Sequence, residues 1–456
     1  MAGWGKRLSM TFAALIGSST NQRAFMGLVR HGSPIEVRAA IQSGADVNAG
    51  QANGLTALMN AASFNENPSV LRVLLDAGAE VNARDTDGWT ALLLAAHFTE
   101  SPAAISVLLN AGADVNTSTE DGGTALMTVA KTHDNAAVLK ALLDAGAEVN
   151  ARSQDGITAL MLAAHGNKNP TVLRMLLEAN ADVNARDEDQ RTALMRAAHF
   201  NESPAVIEAL LNAGADVNAR DKDGTTALMR AASFNGNPAV IEALLNAGAT
   251  VDARSFCGWT ALMGAAHSSA NPDVLGLLLD AGANVNARNE QTWTALMLAS
   301  HSSTHPAVLQ ALLRAGAVTD ARNAEDATAL MVAAASNQNA SVVRTLLDAG
   351  ANVNAHNAEG WTVLMQAAAL NKNPAVTREL LAAGANINAR TEQGWTALML
   401  AARTSENPSV LSLLLEACAD ATTTDHQGQR AVNYAAFNQH VRGTETHRRL
   451  AGACIE

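Results

Sequence analysis

Five histidines at related positions are the residues of this chain whose type could support metal binding or acid–base catalysis: His97, His165, His199, His267 and His301. Two ligands of one Zn²⁺ need nitrogens about 2 Å from the metal. Histidines carried by successive packed helices lie ~10 Å apart. We therefore expect them to line a surface whose binding changes modestly as they titrate near pH ~6.5. The alternative is a metal-dependent enzyme that uses these histidines and retains metal on dialysis.

The histidines belong to a pattern that recurs every 34 residues and begins with Thr, Ala or Val, Leu and usually Met. A strict period of this length predicts a solenoid in which each unit buries its apolar face against its neighbours. The Thr predicts the N-cap of a first, alanine-rich helix, and the histidines fall near the end of that helix. The Thr occurs at 56, 90, 124, 158, 192, 226, 260, 294, 328, 362 and 396.

A second helix follows in each unit, and prolines mark its start. All ten prolines occupy this position, at 34, 68, 102, 170, 204, 238, 272, 306, 374 and 408. Proline at the first helical position loses no hydrogen bond. The preceding residue can cap the helix, as we expect for Asn67, Ser101, Asn169 and Ser203. A glycine with positive φ is expected to end the helix, with Asn180 and Cys418 in its place in two units.

The segment after the glycine, for example Gly78-Ala79-Glu80-Val81-Asn82-Ala83-Arg84-Asp85, resembles the projecting finger of ankyrin repeats. T-A-L-M-x-A-A is similar to the ankyrin pattern T-P-L-H-x-A, with Met or Leu where ankyrin repeats have His. The Trp, Gly and Tyr landmarks of tetratricopeptide repeats are absent. The resemblance, in a form common in bacteria, covers residues 22–450 and implies an all-α ankyrin-repeat solenoid of about 13 units. The expected boundaries are 1–21 for an N-terminal segment, 22–55 for a capping repeat, 56–429 for eleven repeats and 430–456 for a C-terminal capping repeat.

Charge and hydropathy limit the kinds of partner and the cellular locations that we expect for this chain. A net charge of −12 argues against a nucleic-acid partner, which would call for a basic stripe. No apolar run approaches the ~18 residues of a membrane-spanning helix, so no membrane insertion is expected. Residues 1–19 form either a signal peptide or an extra helix. We expect a cytoplasmic monomer, with a periplasmic or secreted location if that segment is a signal peptide.

The ankyrin resemblance implies three contact positions in each unit: the finger, the residue before the Thr, and the two residues after Ala-Ala. The residue before the Thr is Trp89, Trp259, Trp293, Trp361 or Trp395 in five units, which suggests either a partner-binding stripe or packing between fingers. The tryptophans of adjacent units are expected to form two aromatic pairs, 259 with 293 and 361 with 395. The positions after Ala-Ala hold the five histidines and Phe64, Phe98, Phe200 and Phe234. The segregation of Phe and Trp indicates two binding sub-surfaces, or drift among duplicated units.

Arginines recur along the fingers, and we expect them to pair with neighbouring carboxylates, each pair contributing under ~1 kcal/mol; anion binding is the alternative. They are Arg84, Arg152, Arg186, Arg220, Arg254, Arg288, Arg322 and Arg390. No catalytic motif or cofactor site is evident. The sequence therefore predicts a non-catalytic module that binds a protein partner. An inhibitor or protective partner of one enzyme, and a secreted effector that engages host proteins, are the alternatives.

Overall fold

The computed structural model describes residues 19–132, 135–167, 169–268 and 271–453, with the side chains of 19–22 left out. This part contains 26 α-helices, one π-helical turn and no β-strand. It divides into two compact units, one up to Lys222 and one from Asp223 onward. Residues 1–18, on which the expectation of a signal peptide rests, lie outside the described residues.

Helices alternate between two layers in the first unit. The first-layer helices are α1 (Ser19–His31), α3 (Ala57–Phe64), α5 (Ala91–Phe98), α7 (Ala125–Thr132), α9 (Ala159–Gly166) and α11 (Ala193–Phe200). The second-layer helices are α2 (Pro34–Gln42), α4 (Pro68–Asp76), α6 (Pro102–Asn110), α8 (Ala136–Asp144), α10 (Pro170–Glu178) and α12 (Pro204–Asn212).

The second unit repeats this arrangement. Its first-layer helices are α13 (Ala227–Arg230), α15 (Ala261–Ser268), α17 (Ala295–Ser302), α19 (Ala329–Ser336), α21 (Val363–Leu370), α23 (Ala397–Thr404) and α25 (Ala431–Ala435). Its second-layer helices are α14 (Pro238–Asn246), α16 (Pro272–Asp280), α18 (Pro306–Arg314), α20 (Ala340–Asp348), α22 (Pro374–Ala382), α24 (Pro408–Glu416) and α26 (Glu445–Gly452). Helix α13 continues as a π-turn, Ala231–Asn235, that ends at Gly236 with φ of 69°.

The predicted helix starts are confirmed. In all eleven repeats the Thr hydroxyl accepts a hydrogen bond from the N–H three residues later, at 3.3–3.4 Å. Every proline is the first residue of a second-layer helix. Asn67, Ser101 and Asn169 cap their helices as predicted. The prediction for Ser203 is wrong, because its side chain makes no capping hydrogen bond.

The two helix layers are buried to different degrees. The alanines of the first layer are fully enclosed, for example Ala61 and Ala95 at 0% exposure, and their small side chains let neighbouring helices approach closely. The second layer buries one stripe only, such as Val70, Leu71 and Leu74 in α4. The remaining face of the second layer is left to solvent, as expected of an amphipathic helix.

The glycines that end the second-layer helices have the predicted positive φ, 87° at Gly78 for example. Asn180 and Cys418 adopt the same left-handed conformation at 66° and 63°. The chain then forms the finger, which closes as a tight turn. In the finger of α5, the Asp85 carboxylate accepts hydrogen bonds from the N–H groups of Asp87 and Trp89 at 3.0 and 2.7 Å. This turn fixes the backbone of the residue before the Thr.

Asparagines of the fingers join each repeat to the next, a role that the sequence analysis did not predict. In the first unit their side-chain amides donate to a carbonyl 30 residues on, at 2.9–3.2 Å. Their side-chain oxygens accept from an N–H 32 residues on. These asparagines are Asn48, Asn82, Asn116, Asn150 and Asn184. In the second unit Asp252 at this position accepts from Asn284, but a carboxylate has no proton to donate in return.

A second set of asparagines, which we call the loop ladder, joins the turns between the two helices of successive repeats. Asn201 donates to the carbonyls of Ala164 and Asn167 in the first unit. In the second unit, Asn371 donates to the carbonyls of Ala334 and Asn337. Both asparagines are buried, so they satisfy carbonyls that water cannot reach. The repeat period exceeds the usual ankyrin length by one residue, and that extra residue falls in this loop.

The finger arginines also bind the next repeat, through backbone carbonyls. Arg84 donates to the carbonyl of Ser118, Arg288 to that of Arg322 at 2.9 Å, and Arg390 to that of Thr424 at 2.6 Å. The predicted pairing with carboxylates is wrong for these three. It holds for Arg322, which contacts the Asp326 carboxylate at 2.5 Å. In the other three repeats a backbone carbonyl 34 residues along the chain lies within hydrogen-bonding reach of the guanidinium.

Candidate functional site

The tryptophans and histidines predicted as separate candidate positions are in contact within single repeats. Trp89 packs edge-on against His97 with ring centroids 5.7 Å apart. Trp259 packs in the same way on His267 at 5.7 Å, and Trp293 on His301 at 6.3 Å. The residue before the Thr and the residue after Ala-Ala are eight positions apart in sequence. The tight finger turn brings the first of them back over the end of the helix that carries the second.

The predicted aromatic pairs, 259 with 293 and 361 with 395, are both wrong: the rings of Trp259 and Trp293 contact the histidines of their own repeats, and the ring of Trp395 contacts the next aromatic residue along the chain. Trp395 contacts Tyr434 at 4.6 Å, and the Arg403 guanidinium carbon lies 5.2 Å from the centre of its indole ring. Trp361 has Ala369 at the histidine position and instead lines an open groove of about 480 Å³ with Gln366 and Leu370. All five tryptophans of this position are half-buried.

Phe64, Phe98, His97, Trp89 and Arg30 form one connected surface in the first unit, which we call the aromatic cluster. The Arg30 guanidinium carbon lies 3.9 Å from the centre of the Phe64 ring. Phe64 contacts Phe98 at 5.7 Å, and Phe98 contacts His97 at 4.6 Å. Phe64 and Phe98 are 43% and 52% exposed. The sequence analysis missed Arg30, although it lies 34 residues before Phe64 and so occupies the same repeat position.

A second aromatic group lies further along the same unit. Phe200 is 52% exposed and contacts His199 and His165, with ring centroids at 3.8 and 4.1 Å. Burial lowers the pKa of His165, and the positive charges of Arg196 and Lys131 lower it further. In the second unit Phe234 is 61% exposed, and burial followed by the charge of His301 lowers the pKa of His267.

Charge is segregated between the two layers, a pattern visible in the sequence that the analysis overlooked. The first-layer helices contain no Asp or Glu in either unit. In the first unit this layer carries Arg30, Lys131 and Arg196, whereas the second layer carries acidic residues such as Asp76 and Asp144. Arg196 forms a buried ion pair with Asp187 at 2.5 Å. We call the surface formed by the residues before the Thr and by the exposed ends of the first-layer helices the groove face. Its helical side is free of negative charge although the chain as a whole is acidic.

Histidines on the groove face are neighbours of aromatic rings rather than of further metal ligands. His301 Nδ1 lies 2.9 Å from the Ser336 hydroxyl. Within the described residues, no group of three or more His, Cys, Asp or Glu side chains is arranged to hold a metal ion.

The repeat geometry agrees with a comparison against protein families. A family model described as ankyrin repeats (3 copies) matches in overlapping segments at 25–119, 100–187, 126–221, 167–255, 194–289, 228–323, 296–391 and 364–446. The chain belongs to the ankyrin-repeat family. Ankyrin repeats are generally protein-interaction modules, and proteins built from them are typically non-catalytic. A comparison with curated proteins found no match.

This ankyrin array departs from the usual repeat at the residue three positions after the Thr. A buried Met occupies that position in most repeats, Met59 and Met365 among them. The sulfur atoms of these two accept the N–H of Thr56 and Thr362 at 3.4 Å. In these two repeats the Met that stands in place of the ankyrin histidine therefore keeps a weak acceptor for the capping residue. No helix in the described ranges is long and apolar enough to cross a membrane.

Proposed function

We propose that the ankyrin array is a non-catalytic protein-binding module whose partner contacts the groove face. The aromatic cluster around Phe64 and Phe98 is the main anchor in the first unit. The observation that carries the proposal is the exposure of these two phenylalanines next to Trp89, His97 and Arg30. Aromatic and Arg side chains dominate the binding energy of protein interfaces.

The exposure of the aromatic cluster, compared with other apolar side chains of the same repeats, makes it suited to binding a partner. Both rings lie partly in water, although the same two repeats bury Leu58, Leu92 and Leu93 almost completely. An exposed group of large apolar side chains bordered by polar ones is typical of an interaction site. The first-layer helices add no negative charge, so a partner segment with carboxylates finds no repulsion from that side.

The test compares the wild-type chain with a Phe64→Ala/Phe98→Ala variant in affinity capture from a lysate of the source cells, with quantification by mass spectrometry. Ile35→Ala is the matched control, because Ile35 is 82% exposed but belongs to the second-layer helix α2. We expect the double variant to lose a specific protein by about 30-fold, as for loss of an interface hot spot. Ile35→Ala should retain it. An unchanged set of captured proteins with the double variant, at unchanged helical circular dichroism, contradicts the proposal.

The captured protein also distinguishes the more specific forms of this function. An enzyme whose activity falls on addition of the pure array identifies an inhibitor. An enzyme that keeps its activity longer in the presence of the array identifies a protective partner. A protein found only in host cells, together with export of the chain, identifies a secreted effector.

A further inference from the structure

Six of the eleven repeats lack the indole before the Thr, and one of these six, in the first unit, carries a lysine at the position that contacts the indole in other repeats. The residue before its Thr is Gly123, and the residue eight positions later is Lys131. In the repeat of Trp395 the residue at that second position is Arg403, whose guanidinium carbon lies 5.2 Å from the indole centre. The repeat of Gly123 thus has the cation of this arrangement but lacks the ring.

An open groove of about 540 Å³ lies at this position. The partly exposed side chains of Ile157 and Leu162 contribute apolar surface to it, and Lys131 contributes an exposed ammonium group. The finger residues Asp121 and Asp155 line the same groove. Its volume lies within the range of ~300–1,000 Å³ found for ligand pockets, which is ample for one large side chain.

We propose that this groove takes an aromatic side chain of the protein partner, with tryptophan preferred. The inference rests on the proposed function and deepens it by naming the chemistry of one anchor. Lys131 supplies the cation for the face of the ring, and Trp is the best partner in such contacts. Asp121 and Asp155 can accept the indole N–H, a donor that Phe lacks. The partner's ring thereby makes with Lys131 the cation–aromatic contact that Trp395 makes with Arg403 within the chain.

Gly123→Trp is the variant that tests this inference, because it fills the groove with a side chain of the array. The φ of Gly123 lies outside the left-handed region, and an added Cβ would meet only the Thr119 hydroxyl at 3.1 Å. The Thr119 hydroxyl accepts the N–H of Gly123 at 3.1 Å, just as the Thr391 hydroxyl accepts the N–H of Trp395 at 3.2 Å. The local backbone therefore already accommodates Trp in another repeat. Ala327→Trp is the matched control, since it adds the same side chain at the same repeat position elsewhere.

The probe is a phage library of random dodecapeptides selected on the full-length chain. We expect the enriched peptides to share an aromatic residue, Trp above all. Replacing that residue by Ala should weaken the peptide about tenfold or more in fluorescence anisotropy. Gly123→Trp should weaken binding to the same extent, and Ala327→Trp should not. Lys131→Met should weaken binding about fivefold, while Lys131→Arg retains it, because the contact needs a cation.

The inference is overturned if the library yields no enriched peptide, if the enriched peptides share no aromatic residue, or if they bind Gly123→Trp as tightly as wild type. Peptides that bind Gly123→Trp normally but lose binding to Phe64→Ala/Phe98→Ala would leave the proposed function standing and remove only this inference. Nucleobases also stack on cations. If a single-stranded RNA oligonucleotide bound the full-length chain as tightly as the enriched peptides do, the assignment of the groove to a protein side chain would be overturned. Unchanged circular dichroism of each variant shows that the fold is intact.

Discussion

Replacing Asn371 tests how strongly the loop ladder holds successive repeats together. This side chain is 2% exposed and makes three hydrogen bonds. Its amide donates to the carbonyls of Ala334 and Asn337, both at 2.9 Å, and its oxygen accepts the N–H of Asn373 at 2.9 Å. The first two bonds join different repeats, and the third lies within one loop.

The chain supplies the variant that separates these bonds, because serine occupies the same repeat position at Ser303. There the hydroxyl accepts the N–H of His305 at 3.1 Å. Asn371→Ser should keep the local bond and remove the two that cross between repeats. Each lost bond leaves a buried carbonyl without a partner, at a cost of about 1–3 kcal/mol, so the free energy of local opening should fall by at least about 2 kcal/mol. Asn371→Ala removes the third bond as well and should lower it by at least about 3 kcal/mol.

Amide hydrogen exchange read by mass spectrometry measures this free energy repeat by repeat. A loss of about 2 kcal/mol speeds exchange about 30-fold, and we expect the effect in the two repeats that share the bonds, at α19 and α21. Ser405→Asn is the reverse variant at the same repeat position and should slow exchange around α21 and α23. Exchange within about threefold of wild type in Asn371→Ser would refute the stabilising role of the ladder.

Three further predictions concern pH, one weak repeat and one strained residue. Because the folded chain holds the pKa of His165 below its ordinary value near 6.5, the unfolded chain binds the proton more readily. Stability should therefore fall as the pH drops below about 6.5, and a His165→Asn variant with an unaltered pH profile in urea titrations would contradict this. Amides of residues 117–140 should exchange faster than those of flanking repeats, because Ser118 replaces the finger arginine and Ala136 replaces the proline. Uniform protection of the amides across residues 60–240 would disprove this prediction. Cys418→Gly should raise the free energy of unfolding of the second unit by about 1 kcal/mol, since φ of 63° strains an L-residue, and a lowered denaturation midpoint would count against that explanation.

Most of the fold could be predicted because its signals are local. A Thr that caps, a Pro that starts a helix and a Gly that ends one act within a few residues, so each repeat could be assigned by itself. The contacts between repeats could not be predicted in this way, because they join residues about 34 positions apart that lie side by side in adjacent repeats. The sequence analysis therefore predicted no contact for Asn82 and a carboxylate partner for Arg84, yet both bind backbone carbonyls of the following repeat.

The candidate site was predicted as positions but not as contacts. Trp89 and His97 were predicted as two separate contact positions, and only the path of the finger shows that their rings touch. Arg30 was missed because the first repeat lacks the Thr that would have aligned it with the others. The groove at Gly123 was missed because it depends on an absent side chain, which no residue type signals. Aligning every repeat on the residue before the Thr would have exposed both the gap and Lys131.

The central claim is that a protein partner binds the groove face, and exchange mapping of the complex tests it most directly. The full chain is measured alone and with the protein retained in the capture experiment, under identical conditions. We predict added protection at residues 86–98 and in the corresponding finger and first-layer segments, with little change in the second-layer helices such as α4. Added protection confined to the second-layer helices, with the aromatic cluster unaffected, would contradict the account.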